Sequence, residues 1–174
     1  MKKLEDYIRS IPDFPKEGIN FRDITTVIEN PEGFKLAIDE MQECINDVEF
    51  DTIVAAESRG FIFGAPLAYN NSKGLSLIRK KGKLPYKTVS ESYDLEYGSA
   101  EIEMHEDTLK PGDRVVLVDD LVATGGTLEA SVHLIEKLGA KVVKIICLID
   151  LPALGGSKKL EKYNIESLIT FDGE

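Results

Sequence analysis

The sequence predicts an α/β fold with an open, mostly parallel twisted sheet flanked by helices, and three observations lead to this prediction. Short apolar runs rich in β-branched residues recur along the chain, as the buried strands of a parallel sheet require. Segments with apolar residues at helical spacing separate these runs. In the clearest unit, a strand over residues 115–118 precedes a helix over residues 127–138 and a strand over residues 141–149. This order forms a parallel crossover unit.

The N-terminal part of the chain supplies the first helices. A short amphipathic helix is predicted to end before Pro12, because four apolar residues share one helical face: Leu4, Tyr7, Ile8 and Ile11. A second helix begins at Asn30-Pro31, since proline favours the first turn of a helix. Its buried stripe comprises Phe34, Ile38, Met41 and Ile45. Residues 1–30 precede the first crossover and are irregular, so we expect them to form a small hood over the sheet.

The remaining elements alternate between strand and helix. We predict a buried strand over residues 52–56, a helix over residues 61–70 and a third strand over residues 74–78. The polar stretch from Leu84 to Gly98 is too long for a simple hairpin, and long loops without secondary structure are often active-site lids. We therefore expect residues 79–98 to form a mobile catalytic lid within one domain that spans residues 1–174.

Length and charge narrow the class of protein. A chain of 174 residues suits one domain with a sizeable core. It carries 31 acidic and 21 basic side chains, and the formal charge of −10 argues against nucleic acid or an anionic membrane as the principal partner. No apolar run approaches the ~20 residues of a membrane span, and the N-terminus lacks the apolar core of a signal peptide. We expect a cytoplasmic location.

Cysteine and histidine give little sign of metal or disulfide chemistry. Cys44 and Cys147 are not a CxxC pair, and each lies in an apolar periodic segment, so we expect buried, reduced thiols. His105 and His133 are far apart and belong to no cluster of metal-ligand type. We therefore expect neither histidine to have a catalytic or zinc-binding role.

Residues 115–127, VVLVDDLVATGGT, carry the strongest functional signal. The predicted strand ends in Asp119 and Asp120, and a loop of small residues then enters a helix: Ala123, Thr124, Gly125, Gly126 and Thr127. Free backbone N–H groups at a helix N-terminus favour phosphate. The loop lacks both the Walker lysine and the GxGxxG spacing. Ribose hydroxyls or magnesium would give the two carboxylates partners, so a sugar 5-phosphate fits. The alternative is a tight turn with solvated acids.

This run resembles the phosphoribosyl pyrophosphate signature of the type I phosphoribosyltransferases. The apolar tetrad, the acid pair and the TGGT loop all match that signature. The resemblance implies that Asp119 and Asp120 hold the ribose hydroxyls. It also implies that the loop from Ala123 to Thr127 binds the 5-phosphate.

A second anion site is indicated by Glu57, Ser58, Arg59 and Gly60, which follow the strand over residues 52–56. Backbone donors, one hydroxyl and a guanidinium favour an anion, and a plain helix cap is an equal alternative. The form ESRGF is similar to the pyrophosphate loop of adenine-type members of the same family. The resemblance implies that Glu57, Ser58 and Arg59 lie at the pyrophosphate, with a non-proline cis peptide near Glu57–Ser58.

Four basic residues occupy five consecutive positions: Arg79, Lys80, Lys81 and Lys83 around Gly82. They are either a solvated charge run or cations that screen a departing diphosphate. The segment from residue 79 to residue 98 resembles the catalytic loop of adenine phosphoribosyltransferases. That resemblance assigns Glu96 as the catalytic acid/base residue and Tyr97 as its neighbour over the substrate. It assigns Arg79 and Lys83 to pyrophosphate, in their own site or in that of a partner subunit.

The segment GINFRDI, residues 18–24, offers a site for a flat heterocycle. Phe21 and Arg22 present a flat apolar surface and a flat cation, although a lone phenylalanine is more often a core residue. The segment is similar to the purine-binding element of the same enzymes. The resemblance implies that Phe21 stacks on adenine, that backbone groups of Asn20 read its polar edge beside Arg22, and that Leu151 closes the other face.

The resemblance covers residues 4–171 and implies one reaction. Adenine and phosphoribosyl pyrophosphate would give AMP and pyrophosphate in purine salvage, with Mg²⁺ held mainly by substrate and water rather than by protein side chains. It also implies a homodimer.

Two other functions stay open at the level of sequence. One is transfer to another base, such as xanthine, hypoxanthine or guanine, because backbone and pocket shape read the base. The other is a non-enzymatic sensor of the same ligand that controls transcription. The acidic charge and the presence of Glu96 argue against the sensor.

Overall fold

The computed structural model describes residues 2–95 and 97–173, and its main feature is a seven-stranded sheet with the order β5-β6-β4-β3-β7-β8-β9. The strands of this sheet are β3 (Thr52–Ala56), β4 (Gly74–Lys80), β5 (Thr88–Asp94), β6 (Ser99–His105), β7 (Arg114–Val122), β8 (Lys141–Asp150) and β9 (Ile165–Thr170). All neighbouring pairs among β4, β3, β7, β8 and β9 are parallel, whereas β6 is antiparallel to both β4 and β5. The predicted open, mostly parallel sheet is therefore confirmed.

Five α-helices accompany the sheet in the described residues. They are α1 (Thr25–Ile28), α2 (Pro31–Glu43), α3 (Gly60–Asn70), α4 (Gly126–Lys137) and α5 (Gly156–Lys159). The predicted helix start at Asn30-Pro31 is confirmed, because the Asn30 side chain accepts hydrogen bonds from the backbone N–H groups of Glu32 and Gly33, each at 3.0 Å. The helices predicted over residues 61–70 and 127–138 are confirmed to within one residue at each end.

The core consists of two apolar layers, one on each face of the sheet. On β7, Val116 and Val118 contribute to the layer that contains α2 and α3. Val115 and Leu117 contribute to the opposite layer, which contains α4. Because successive side chains of a strand point to opposite faces, a continuous apolar run is what burial on both faces requires. The two layers position the carboxyl end of β7 between helices.

The predicted amphipathic helix near the N-terminus is wrong beyond its first turn. A 3₁₀ helix spans Leu4–Tyr7, after which β1 (Arg9–Ile11) pairs antiparallel with β2 (Phe21–Asp23) in a separate two-stranded sheet. Pairing with residues a dozen positions later stabilises the extended backbone, and local periodicity does not report such pairing. The hood thus contains a β-hairpin rather than irregular chain.

The prediction of an unstructured stretch from Leu84 to Gly98 is also wrong. Residues 88–94 form β5, and every residue of this strand is paired with β6. Val89 and Tyr93 pack against the apolar layer of α4, because alternate residues of the strand face that layer. The segment is therefore the first half of a β-ribbon.

Three further sequence predictions concern local geometry. The peptide bond between Glu57 and Ser58 is cis, as predicted, and the bond between Phe14 and Pro15 is also cis. β7 continues through Asp119 and Asp120 to Val122, well past the predicted end at Val118, because its backbone stays paired with β8 as far as Asp150. Both cysteines are free thiols; Cys147 is buried, whereas Cys44 is only half-buried.

Among the described residues, no helix has the length and apolar character needed to cross a membrane.

The hood hairpin is tied together by one carboxylate at its end. Asp23 Oδ2 accepts hydrogen bonds from Arg9 Nε at 3.0 Å and Nη2 at 2.7 Å. Its Oδ1 accepts from the Thr25 backbone N–H at 2.9 Å and from the Thr25 hydroxyl at 2.7 Å. The bonds from Thr25, with a smaller contribution from Arg9, lower the pKa of Asp23 from its ordinary 3.8 to about 2.

We expect Asp23→Asn to lower the melting temperature at pH 7 and to lose this effect in acid. A lowered folded-state pKa stabilises the fold above the unfolded pKa of 3.8, and that stabilisation is lost as pH falls through about 2. Melting curves of wild type and variant between pH 7 and pH 2 should therefore begin to approach each other below about pH 4 and converge near pH 2. Asp107→Asn, in an exposed turn, is the control. A difference for Asp23→Asn that is independent of pH would contradict the assignment.

Candidate active site

A cavity of about 520 Å³ lies at the carboxyl ends of β3 and β7. Its described lining comprises Glu57, Ser58, Arg59 and Lys80, the acid pair Asp119 and Asp120, and residues 121–128. Parallel strands end at the same edge of a sheet, and this edge is where ligands bind in open α/β folds. The two motifs predicted separately, ESRGF and DDLVATGGT, therefore line one cavity.

The acid pair is buried at the end of this cavity. Asp119 and Asp120 are only 7% and 6% exposed. Asp119 Oδ1 accepts a hydrogen bond from the Asp120 backbone N–H at 2.8 Å, and Asp120 Oδ2 pairs with Arg59 Nε at 2.8 Å. Arg59 thus links the turn after β3 to the end of β7, and it supplies a cation where buried carboxylates need one.

One of the two carboxyl groups is strongly perturbed. Burial raises the pKa of Asp119 well above its ordinary value, and the neighbouring charge of Asp120 raises it further. Cys147 lies opposite Asp119 on β8, and burial followed by the charge of Asp119 raises the pKa of its thiol. Arg59 and one backbone N–H therefore compensate the pair only in part, and ribose hydroxyls or a bound cation would supply further donors or positive charge.

The loop between β7 and α4 is held by backbone packing. Gly125 has a φ of +82°, which favours glycine, and it stands immediately before α4. Gly156, at the start of α5, packs against the loop and donates its N–H to Ala123 O at 2.9 Å. A Cβ on Gly156 would lie 2.4 Å from Ala123 O and 2.7 Å from Gly125 N. No motif in the sequence indicated this role of Gly156.

The basic run is organised by Glu57. This buried carboxylate contacts Lys83 Nζ, Arg79 Nε at 3.4 Å and the Lys80 backbone N–H at 2.7 Å. Burial raises the pKa of Glu57, but hydrogen bonds from Lys83 and Lys80 outweigh it and lower the pKa overall. The structure thus brings Arg79 and Lys83 to the carboxylate beside the cavity. Lys80, to which the sequence analysis gave no role, is the residue of the basic run in the described lining.

The β5–β6 ribbon contacts the loop side of the cavity. The Thr127 hydroxyl donates to the Tyr93 hydroxyl at 3.2 Å, and Gly126 lies against the Tyr93 ring. Glu91 of the same strand pairs with Lys137 and lies 3.5 Å from His133, both on α4. Tyr93 is a second site residue that sequence reasoning missed, since only the strand pairing of β5 directs it toward Thr127.

Glu96 lies outside the described residues. Tyr97, its predicted partner, is 83% exposed in the turn between β5 and β6.

A second cavity of about 520 Å³ adjoins the first, and Thr124 lines both. Its described lining comprises Lys16, Glu17, Gly18, Ile19, Asn20, Arg22, Thr124, Leu151, Ala153, Leu154, Phe171 and Gly173. The hood, the segment after β8 and the segment after β9 therefore enclose it together. A mainly aliphatic and aromatic cavity with a few polar groups suits a flat heterocycle.

The predicted base-binding residues do not all line this cavity. Asn20, Arg22 and Leu151 line the cavity. Phe21 is not among the described residues that line it, and its ring packs edge-on against Phe14 with centroids 5.2 Å apart. Strand alternation explains this difference, because Phe21 and Arg22 are consecutive in β2 and face opposite sides. The aromatic ring that the cavity does contain belongs to Phe171.

The described residues contain no cluster of three or more histidine, cysteine, aspartate or glutamate side chains arranged to hold a metal ion. The carboxylates in the described lining of the first cavity are Glu57, Asp119 and Asp120, and Glu57 is committed to cations. This donor set fits a magnesium ion that takes most of its oxygen ligands from a diphosphate and water.

The chain is similar in sequence to proteins of a known family. The sequence profile of the phosphoribosyl transferase domain matches residues 23–173. The adenine phosphoribosyltransferase of Lachnoclostridium phytofermentans is 58% identical over 174 residues, which is all of both chains.

Two solved structures of such proteins are similar to this chain in fold and in sequence. The crystal structure of adenine phosphoribosyltransferase from Thermoanaerobacter pseudethanolicus is 50% identical, with a TM-score of 0.93 over 97% of this chain and 100% of that chain. The Saccharomyces cerevisiae enzyme, solved with an imino-altritol bisphosphate and adenine, is 36% identical, with a TM-score of 0.86 over 95% of each chain.

We expect Gly156→Ala to weaken the binding of ribose 5-phosphate, because the added methyl group cannot fit without displacing the loop. Overpacking of this kind costs about 1–3 kcal/mol. Gly155→Ala is the matched control: it introduces strain at a φ of +80° but meets no atom within 4 Å. Both variants should melt at lower temperature, and calorimetry should detect weaker binding only for Gly156→Ala. Equal affinity for ribose 5-phosphate in the two variants would contradict the role of Gly156 in holding the loop.

Proposed function

Because the chain belongs to the phosphoribosyl transferase domain family and, within it, to the adenine phosphoribosyltransferases, we propose that the two adjoining cavities bind the two substrates of that reaction. The enzyme is a pentosyltransferase that moves the 5-phosphoribosyl group of phosphoribosyl pyrophosphate to adenine, giving AMP and pyrophosphate. One observation carries the assignment of the cavities: Thr124 lines both, so a sugar phosphate in the first and a base in the second would meet.

In this proposal the first cavity binds phosphoribosyl pyrophosphate. The loop from Ala123 to Thr127 binds the 5-phosphate through backbone N–H groups at the start of α4, where the helix dipole favours an anion. Asp119 and Asp120 accept hydrogen bonds from the ribose hydroxyls, which gives the buried pair further donors beside Arg59. The burial of both carboxylates and the open loop beside them support this orientation.

The diphosphate would lie between the loop after β3 and the basic run. Ser58 and Arg59 line the cavity at this point, and Glu57 holds Arg79 and Lys83 beside it. Cations placed where negative charge develops stabilise a departing diphosphate. Glu57 has the positioning role here, because a carboxylate would itself repel pyrophosphate.

Magnesium would neutralise diphosphate charge when it is bound with the substrate, and Asp119 and Asp120 are the carboxylates of the described lining that could help to hold it. Turnover that survives complete removal of magnesium by a chelator would remove this part of the proposal.

The second cavity would bind adenine. Leu151 supplies an apolar surface, Asn20 supplies polar backbone groups and Arg22 supplies a planar cation. The ring of Phe21 packs against Phe14 rather than facing this cavity. Phe21 stays a candidate only because it lies in the hood next to Arg22.

The chemistry is displacement at the anomeric carbon through a transition state with oxocarbenium character. The bond from this carbon to the diphosphate oxygen breaks, and a bond to a ring nitrogen of adenine forms. The adenine must lose one proton, which Glu96 would accept as general base. The β5–β6 ribbon, with Tyr97 in its turn, would close over the site and exclude water, which would otherwise hydrolyse the activated sugar.

A homodimer is proposed on the family resemblance, and a monomeric mass measured by light scattering would contradict it.

The base specificity is tested by a competition assay. With phosphoribosyl pyrophosphate and magnesium present, we expect turnover of adenine in preference to hypoxanthine, guanine and xanthine, because the family relatives are adenine enzymes. Mass spectrometry of the nucleotide products measures the preference. A dominant product other than AMP would replace adenine as the substrate, and no product from any base would favour a non-catalytic sensor.

We expect Glu96→Gln to lower kcat by about 100-fold or more, because a general base contributes a factor of this order and glutamine cannot accept the proton. Binding of phosphoribosyl pyrophosphate, measured by calorimetry, should remain unchanged. Glu106→Gln, at an exposed position just after β6, is the matched control and should retain full activity. Near-normal turnover in Glu96→Gln would assign the proton transfer to another group.

A further inference from the structure

We propose that Phe171, in the segment after β9, is a positioning residue that holds the Arg22 guanidinium at the base cavity and thereby sets the affinity for adenine. This inference rests on the proposed function and concerns its base-binding side. Phe171 belongs to none of the motifs in the sequence that indicated a functional site.

The geometry of Arg22 supports the proposal. Its guanidinium carbon lies 4.1 Å from the centroid of the Phe171 ring, which is the distance of a close cation–π stack. Ser10 stands directly opposite Arg22 in the β1–β2 pairing, and its hydroxyl accepts a hydrogen bond from Arg22 Nη1. The guanidinium plane is therefore defined by two contacts, one from the hood and one from the main body of the protein.

A third feature shows that this guanidinium is held in an unusual way. Arg22 Nε is buried and has no hydrogen-bond partner in the part of the chain that the structure describes. A buried donor without a partner is unfavourable, so other interactions must keep the side chain in place. The stack on Phe171 is one such interaction, and both side chains line the same cavity.

Phe171 is itself anchored to the main sheet. Its backbone N–H donates to Asp150 O at 3.1 Å, which continues the pairing of β9 with β8. Its ring also packs on the apolar layer that contains α2 and α3. The β1–β2 hairpin forms a separate sheet. The Arg22–Phe171 stack therefore connects the hood to the body at the place where the proposed adenine would lie.

The test compares two substitutions at Phe171 in the full-length enzyme. Phe171→Leu keeps an apolar side chain but removes the aromatic face, whereas Phe171→Tyr keeps that face. We expect Phe171→Leu to raise KM for adenine by about fivefold to tenfold, in the range of a lost cation–π contact, with KM for phosphoribosyl pyrophosphate within about twofold of wild type. Phe171→Tyr should restore the wild-type KM for adenine.

Two controls separate positioning from general stability. Phe50→Leu removes a buried ring that lies 5.7 Å from Lys73 Nζ, remote from both cavities, and should lower the melting temperature without changing either KM. Arg22→Met removes the cation, so Phe171→Leu added to it should cause no further rise in KM for adenine. This double-mutant cycle reports the coupling between the two side chains directly.

Three results would overturn the proposal. Phe171→Leu could leave KM for adenine unchanged, it could raise both KM values equally, or Phe171→Tyr could be as impaired as Phe171→Leu. If wild type turns over adenine and one of these results is found, only the role of Phe171 fails. If wild type turns over no adenine, the proposed function fails first and this inference fails with it.

Discussion

The site depends on two adjacent carboxylates at the buried end of β7. Burial of Asp119 and Asp120 is unfavourable unless cations or donors compensate their charge, and Arg59 is the cation that the chain itself provides. Arg59 can reach Asp120 only because α3 begins close to β7. Gly60 permits this approach, since a Cβ there would lie 2.9 Å from Val118 O. The Arg59–Asp120 ion pair therefore depends on the close packing of α3 against β7, and the two together join the ends of β3 and β7.

A second set of close contacts connects the two cavities. Thr124 lines both of them, and the segment after β8 supplies Leu151 to one cavity and Gly156 to the loop of the other. On the opposite side of the first cavity, Glu57 pairs with Arg79 and Lys83 and balances their charge. Each cavity therefore relies on residues from several elements, and a shift in one segment would alter both cavities.

The sequence-based predictions succeeded where the signal is contiguous. The β-branched runs predicted the strands at residues 52–56 and 115–118, and the DDLVATGGT run placed acid pair and loop in one cavity, because these residues follow one another along the chain. They failed where the partner is distant. Residues 88–94 were predicted to be loop but form β5, because their pairing with β6 is not visible in the local sequence. The role of Phe21 as the base platform stays a prediction, because the orientation of its ring, which packs against Phe14, depends on how the hood hairpin lies on the body.

The sequence by itself determined the class of fold, the parallel order of the crossover units and the types of residue that line the first cavity. Local periodicity and adjacent motif residues are sufficient for these, because each reflects interactions within about one turn or one strand. The tertiary structure alone decided that Tyr93 meets Thr127, that Gly156 braces the loop and that Phe171 stacks on Arg22. The reason is physical: these contacts join residues tens of positions apart, and only the packing of sheet, ribbon and hood brings them together.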